Sequence, residues 1–157
     1  MDFSKLPITF EATIPEEYLD DMGHMNVMWY THLFDKGVYG AFELMGLNLE
    51  YMRAHNSGGF ALEAHIRYLR EVRVGNKVTI FSRFIARTQR RFHLMNFMYN
   101  DSNQDVAATF EVVGAHIDMS IRRMASFPDP IATKLDSLIR DHSSLDWEAP
   151  LCGAMKP

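Results

Sequence analysis

The sequence predicts an α+β domain in which a strongly twisted antiparallel sheet folds around one long helix. Three observations carry that expectation. A stretch from Thr31 to Met45 has apolar residues at helical spacing around most of its circumference. One alternating apolar/polar segment precedes it, and four more follow in close succession. With 157 residues, 47% of them hydrophobic and 23% charged, the chain fits one globular domain with a substantial core.

Taken in order, "ITFEAT" alternates Ile8, Phe10 and Ala12 with polar residues and reads as a first strand ended by Pro15. In the helix, Phe34, Val38, Phe42 and Met45 follow i, i+4, i+8, i+11 spacing, and Leu33, Ala41 and Leu44 widen the stripe. Only Asp35, Lys36 and Glu43 are charged there, so the helix is expected to be largely buried. Gly37 and Gly40 each cost about 1 kcal/mol relative to Ala in a helix interior. Their presence predicts a close approach of backbone or ligand to that face. Gly46 is placed to end the helix at C′. Residues 48–56 add a short helical turn, with "NSGG" as punctuation. Four strands follow, over 60–68, 77–86, 91–99 and 106–118, separated by turn-rich "GN" and "NDSNQD". "FPDP" then introduces a helix over 131–141, with Asp129 as N-cap and Pro130 at N1. Residues 1–142 are therefore expected to form a single domain, with 143–157 as a loose or docking C-terminal tail. The end strands of such a sheet are open edges, which favours pairing with a second subunit.

Composition narrows the function classes. The opening residues lack a basic region and an apolar core of signal-peptide type, and no apolar run approaches the ~20 residues that cross a bilayer. The single cysteine, Cys152, is expected to form no internal disulfide and no Cys-based metal site, and a reducing cytoplasm is the expected location. A net charge of −4 argues against general nucleic-acid binding. Its distribution is uneven, since residues 67–91 hold eight Lys/Arg against Glu71 alone. That segment either neutralises acids elsewhere in the fold or forms an anion site suited to a phosphorylated small molecule.

The stretch "LDDMGHMNVMWY" at 19–30 holds more polar groups than a helix start needs. Asn26 is a sensible N-cap, and Asp20 or Asp21 would favour the positive end of the helix dipole. The clustering of Asp20, His24 and Asn26 around Gly23 points beyond capping, to a reaction site at a helix N-terminus. A metal centre of Asp20, His24 and His32 has the right residue types but matches no zinc spacing, and no metal is expected.

This stretch resembles the D-x-x-G-H-x-N-x-x-x-Y signature of hotdog-fold acyl-CoA thioesterases of the 4-hydroxybenzoyl-CoA thioesterase type, with Asp20, Gly23, His24, Asn26 and Tyr30 filling the pattern. The likeness continues through "EAHIRYLREVRVGNKV" and "HIDMSIRRMASFP", covering roughly residues 5–130. It implies a five-stranded antiparallel sheet around a long central helix, and a homodimer or homotetramer with active sites between subunits. It implies hydrolysis of a small or medium acyl-CoA, with coenzyme A as part of the substrate and no separate cofactor. The family's catalytic aspartate falls on Asp20, as nucleophile or general base, and not on Asp21. The N–H of Val27 would hold the oxyanion, Gly23 permits the turn, and His24 and Asn26 orient the loop or the water. Met28, Trp29 and Tyr30, with Met25, are the expected acyl contacts, and Glu63 could reach the substrate across the interface. Glu43 is the alternative carboxylate, because other hotdog thioesterases place theirs on the central helix. Arg70, Arg73, Arg90 and Arg91, at strand ends and turns, are the candidates for the CoA phosphates. "GHMNVMWYTHLFDKG" and "RRFHLMNFMYN" also resemble the carnitine-dehydrogenase-associated branch, which acts on betainyl-CoA. The competing classes are a non-catalytic acyl-CoA-binding module and a hotdog dehydratase or hydratase.

Overall fold

A computed structural model describes all 157 residues. Strand β1 (Ile8–Thr13) leads through one 3-10 turn (Glu16–Tyr18) to the long helix α1 (Val27–Met45) and the short α2 (Leu49–Ala54). Four strands follow: β2 (Ser57–Tyr68), β3 (Lys77–Arg87), β4 (Arg91–Asn100) and β5 (Asp105–Asp118). A two-residue strand β6 (Arg123–Met124) and helix α3 (Asp129–Ser143) complete the elements. The five long strands form one antiparallel sheet in the order β1-β3-β4-β5-β2, with β6 added on β5. This is the expected hotdog architecture, α+β, with α1 packed along the sheet. No helix is long and apolar enough to cross a membrane.

Local chemistry accounts for where α1 starts and stops. Asn26 is extended (φ −62°, ψ 143°), and its side-chain oxygen accepts the Met28 N–H at 3.0 Å, so the helix begins four residues earlier than its apolar stripe suggests. Gly46, at φ 85°, ends it in the left-handed conformation. Between these caps α1 buries Tyr30, Leu33, Phe34, Ala41, Phe42 and Met45. Gly40 explains itself: a Cβ there would lie 2.1 Å from the carbonyl oxygen of Thr9, so only glycine lets β1 approach the helix so closely.

Near-complete burial of α1 is not observed. Val27, Met28, Thr31, Asp35 and Tyr39 stay exposed, because the sheet covers one side of the helix and the flank towards β2 is open. In β1 and β2, register shifts break the expected alternation. One lies between Ile8 and Phe10, leaving Ile8 exposed. The other lies between Ala61 and Glu63, so the residues facing α1 change phase from Gly59 and Ala61 to Ala64 and Ile66, while Phe60 and Leu62 are exposed. At α3 the expected cap is also corrected. Pro128 occupies the N-cap position without a side-chain hydrogen bond, and Asp129 is the first helical residue.

β4 and β5 are buried on both faces. The outer face is covered by both chain ends, with Leu6, Met95 and Phe97 packed against Phe3, Leu145 and Trp147. The tail is held there by specific contacts. The Arg83 guanidinium lies 4.4 Å from the Trp147 ring centre and donates to the Trp147 and His142 carbonyls. Met155 is buried. Much of the basic segment is engaged in such neutralising contacts, including Lys77 with Glu11, Arg87 with Asp136 and Arg73 with Glu71.

Candidate active site

Residues 19–26 form a tight turn whose ends are bridged at Leu19 and Met25. The Asp20 N–H donates to the His24 carbonyl and the Gly23 N–H to the Asp20 carbonyl, both at 3.0 Å. Gly23 sits at φ 80°, a conformation a larger residue reaches only with strain. Met25 anchors the turn by donating to the Val72 carbonyl at 2.7 Å, and the Asn26 N–H does so to Tyr18 at 2.9 Å. The turn is thereby fixed against both neighbouring segments before α1 begins.

That rigidity positions the polar groups. One carboxylate oxygen of Asp20 accepts the Met22 N–H at 2.9 Å, and the other lies 3.3 Å from His24 Nδ1. At the start of α1, Asn26 satisfies Met28, whereas the N–H of Val27 makes no hydrogen bond within the chain. Val27 lines a hollow of about 280 Å³ with His24, Tyr30, Tyr68, Leu69 and Arg70. Asp20 does not line this hollow; it is paired with His24, which does. Tyr30 is buried there, its hydroxyl donating to the Arg70 carbonyl at 3.3 Å and its ring set edge-on to Tyr68. Burial pushes the Tyr30 phenol up to about 12, so it remains a neutral donor at physiological pH.

A larger cavity of about 540 Å³ continues along the seam between α1 and β2. Its walls are mostly apolar, with Val38, Phe42, Ile66, Phe92 and Phe110 among them, and Thr31 and Asp35 supply polar side chains. Small residues on β2 (Gly59, Ala61 and Ala64) leave the room. Val27 and Thr31 share a face of α1 one turn apart, as Tyr68 and Ile66 share a face of β2. Each pair has one residue in the hollow and one in the cavity, so the two spaces are neighbours along α1.

Several expected site residues fall elsewhere. Trp29 lines neither space; its ring stacks on Tyr18 at 3.7 Å, nearly parallel, so both residues close the wall beside the turn. Met28 is 60% exposed and also lines neither space. Glu63 lies on the exposed edge strand just past the register shift, away from both. His32 is edge-on to Trp29 and does not join Asp20 and His24 in a ligand cluster. Glu43 is exposed and does not line the cavity; it lines a surface groove with Thr9 and Lys36 that adjoins the cavity at Asp35 and Tyr39.

The four arginines do not converge either. Arg70 and Arg73 adjoin the Tyr68 end of β2, where Arg70 pairs with Asp105 at 3.7 Å and Arg73 with Glu71. Arg90 and Arg91 flank the β3–β4 turn beside a separate groove. In register, Tyr68 opposes Ala108 whereas Arg91 opposes Ala115. Seven residues of β5 separate these ends, roughly 23 Å at about 3.3 Å per residue. Sequence reading missed Tyr68 and the small-residue run on β2, and the latter was the available signal for a cavity.

Known proteins share this fold. A Staphylococcus aureus protein solved in complex with CoA superposes with a TM-score of 0.83 at 24% identity, covering 91% of this chain and 90% of that one. A crystallised Pseudomonas putida protein described as a putative thioesterase superposes with a TM-score of 0.79, also at 24% identity, covering 97% and 96%. Betainyl-CoA thioesterase of Pseudomonas aeruginosa is 23% identical over 142 residues, 90% of this chain and 89% of that protein. The L-carnitine dehydrogenase/betainyl-CoA thioesterase of a Rhizobium species is 24% identical over 135 residues, 86% of this chain, and the chain spans only 27% of that longer protein. The model of the Thioesterase-like superfamily matches residues 14–135, and the chain belongs to that superfamily.

Proposed function

We propose that this protein is an acyl-CoA thioesterase that hydrolyses a small or medium acyl thioester to the free acid and CoA at the N-terminus of α1. The observation that carries the reading is the free N–H of Val27, on the positive end of a 19-residue helix, at a residue that lines a hollow together with His24, the partner of Asp20. Hydrolysis develops negative charge on the thioester oxygen, and a fixed donor there stabilises the transition state without reorganising. Asp20 supplies the second requirement. Its carboxylate either attacks the carbonyl carbon or takes a proton from an attacking water, while His24 holds it in place. A single turnover in water of heavy oxygen tests for attack by Asp20: label in that side chain requires a mixed anhydride opened by water at the aspartyl carbon, whereas direct attack of water labels only the released acid.

The acyl group would extend from the hollow into the apolar seam. From Thr31 to Phe42 the cavity follows α1 for roughly 16 Å at 1.5 Å per residue, enough for a medium chain or an aryl group. Betainyl-CoA is the second reading, favoured by the relatives and by the Tyr30 and Tyr68 rings beside Val27, which can attract a trimethylammonium. That group ends within a few bonds of the carbonyl and would use only the near end of the seam.

The open edge of β2 supports a dimer. It is a 12-residue strand with Phe60, Leu62 and Tyr68 exposed, a surface that a second copy would cover by pairing β2 to β2. A two-fold pairing lays the Ser57 end of one copy beside the Tyr68 end of the other. The β3–β4 turn of one copy then approaches Arg70 and Arg73 of the other, which would bring the separated arginines towards one CoA.

Thiol release from acetyl-, medium-chain, aryl- and betainyl-CoA tests the proposal, with Asp20→Asn beside wild type. Wild type is expected to turn over at least one of the four, and Asp20→Asn to lose about 10²-fold or more in kcat. Saturable binding without thiol release would make the protein a binding module. Loss of water from a 3-hydroxyacyl-CoA would make it a dehydratase.

A further inference from the structure

A second group of reactive side chains gathers on the outer face of the sheet, opposite the α1 seam. His65 lies between Ala64 and Ile66, which line the cavity, so its side chain projects to the other side of β2. There it stands directly across from Glu111 on β5, and the C-terminal segment brings Cys152 over both. One donor atom from each, a ring nitrogen, a carboxylate oxygen and the thiol sulfur, lie within 4.8 Å of one another.

The group is ordered by the fold around it. Glu111 is 1% exposed and both its oxygens are held: Oε1 by Nε2 of the buried His93 at 2.8 Å, Oε2 by the Cys152 backbone N–H at 2.7 Å. That second bond delivers the Cys152 thiol to the cluster. Docking of Trp147 and Met155 fixes the segment on either side of it. A tetrahedral zinc site, with bonds of about 2.0–2.3 Å, needs its ligand atoms about 3.3–3.8 Å apart. The remaining contraction of up to about 1–1.5 Å lies within the rotamer freedom of the exposed His65 and Cys152 side chains. Thiolate with imidazole favours zinc over magnesium or calcium, and His93 behind Glu111 is the kind of outer partner that orients a ligating carboxylate.

We infer that His65, Glu111 and Cys152 form a zinc site, with a water in the fourth position, that clamps the C-terminal segment across β5 onto the edge strand β2. Binding replaces the thiol proton with the metal and releases that proton to solvent.

The test uses the intact, reduced protein, with zinc titrated against a chromogenic chelator and cobalt as a spectroscopic probe. Wild type is expected to take one zinc per chain and to show a thiolate-to-cobalt charge-transfer band. Cys152→Ser should abolish that band and weaken zinc binding at least about tenfold. His65→Ala should weaken zinc binding similarly, whereas substitution of the distant, exposed His55 should change nothing. Circular dichroism of each variant checks that the fold is retained. The inference fails if wild type binds no stoichiometric zinc, if its cobalt spectrum lacks the thiolate band, or if a folded Cys152→Ser binds zinc as wild type does.

Discussion

Val27→Pro isolates the oxyanion donor with little other disturbance. Proline lacks a backbone N–H, and at N1 of a helix that group has no intrahelical partner to lose. The site suits proline further. Asn26 already has φ −62° and ψ 143°, the extended conformation that a following proline requires, and the Asn26-to-Met28 cap bond is untouched. The Val27 side chain is 58% exposed, so little burial is lost. Stability should therefore change by no more than about 1 kcal/mol, or roughly 2–4 °C in Tm for a domain of this size. Catalysis should change far more. Losing one oxyanion donor costs about 10²–10³ in kcat, or roughly 2.7–4 kcal/mol of transition-state stabilisation. KM should hardly move, because the bond strengthens mainly as charge develops on the oxygen. The assay is continuous thiol release with the best substrate of the panel, and Val27→Ala, which keeps the N–H, is the control. A folded Val27→Pro whose kcat stays within about tenfold of Val27→Ala would refute the assignment.

Two further outcomes follow from the same geometry. Ala64→Phe fills the β2 wall of the seam, so kcat/KM should fall steeply for medium-chain and aryl substrates while acetyl-CoA is spared; equal losses across the panel would place the acyl group elsewhere. The ring Nδ1 of His142 accepts the Phe84 N–H at 2.9 Å, and burial, then the Arg83 charge, holds that imidazole below its ordinary value of about 6.5. The unfolded chain thus binds the proton more readily, so stability present above about pH 6.5 is lost as pH falls through the folded value. Denaturant midpoints between about pH 7 and 5 should decline less in His142→Asn, which can still accept the Phe84 bond, and an unchanged slope would remove His142 as a cause.

Sequence patterning located every long element because each buries one dominant face, and such faces repeat with a fixed period. It placed the start of α1 at Thr31, because Met28 and Trp29 do not continue the core stripe, although Asn26 was readable as the cap that sets the true start at Val27. The shifts at Ile8/Phe10 and Ala61/Glu63 left no trace in residue type, and a strict period of two over 60–68 would put Phe60 and Leu62 on one face with Ala64 and Ile66, which the shift prevents. Trp29 illustrates a different limit. An aromatic next to a reaction turn has several partners available, and only the fold shows that Tyr18 took it. The His65–Glu111–Cys152 group joins residues 46 and 41 positions apart along the chain, a spacing no motif encodes.

What joins the two halves of the proposed site is the rigidity of α1. Val27 and Thr31, four residues apart on one face of α1, line successive spaces, so the carbonyl end and the acyl end are set by one rigid body. Its axial position is fixed near the far end, where Gly40 admits the Thr9 carbonyl, and its N-terminus by the Asn26 cap and the Met25 anchor on Val72. A shift of the helix along its axis would carry the Val27 N–H away from the Asp20 turn, and about 1 Å of misplacement is enough to cost 10²-fold in rate. Gly40 therefore lies about 20 Å along α1 from the proposed oxyanion donor, thirteen residues at 1.5 Å each, yet bears on the reaction by holding the helix in register.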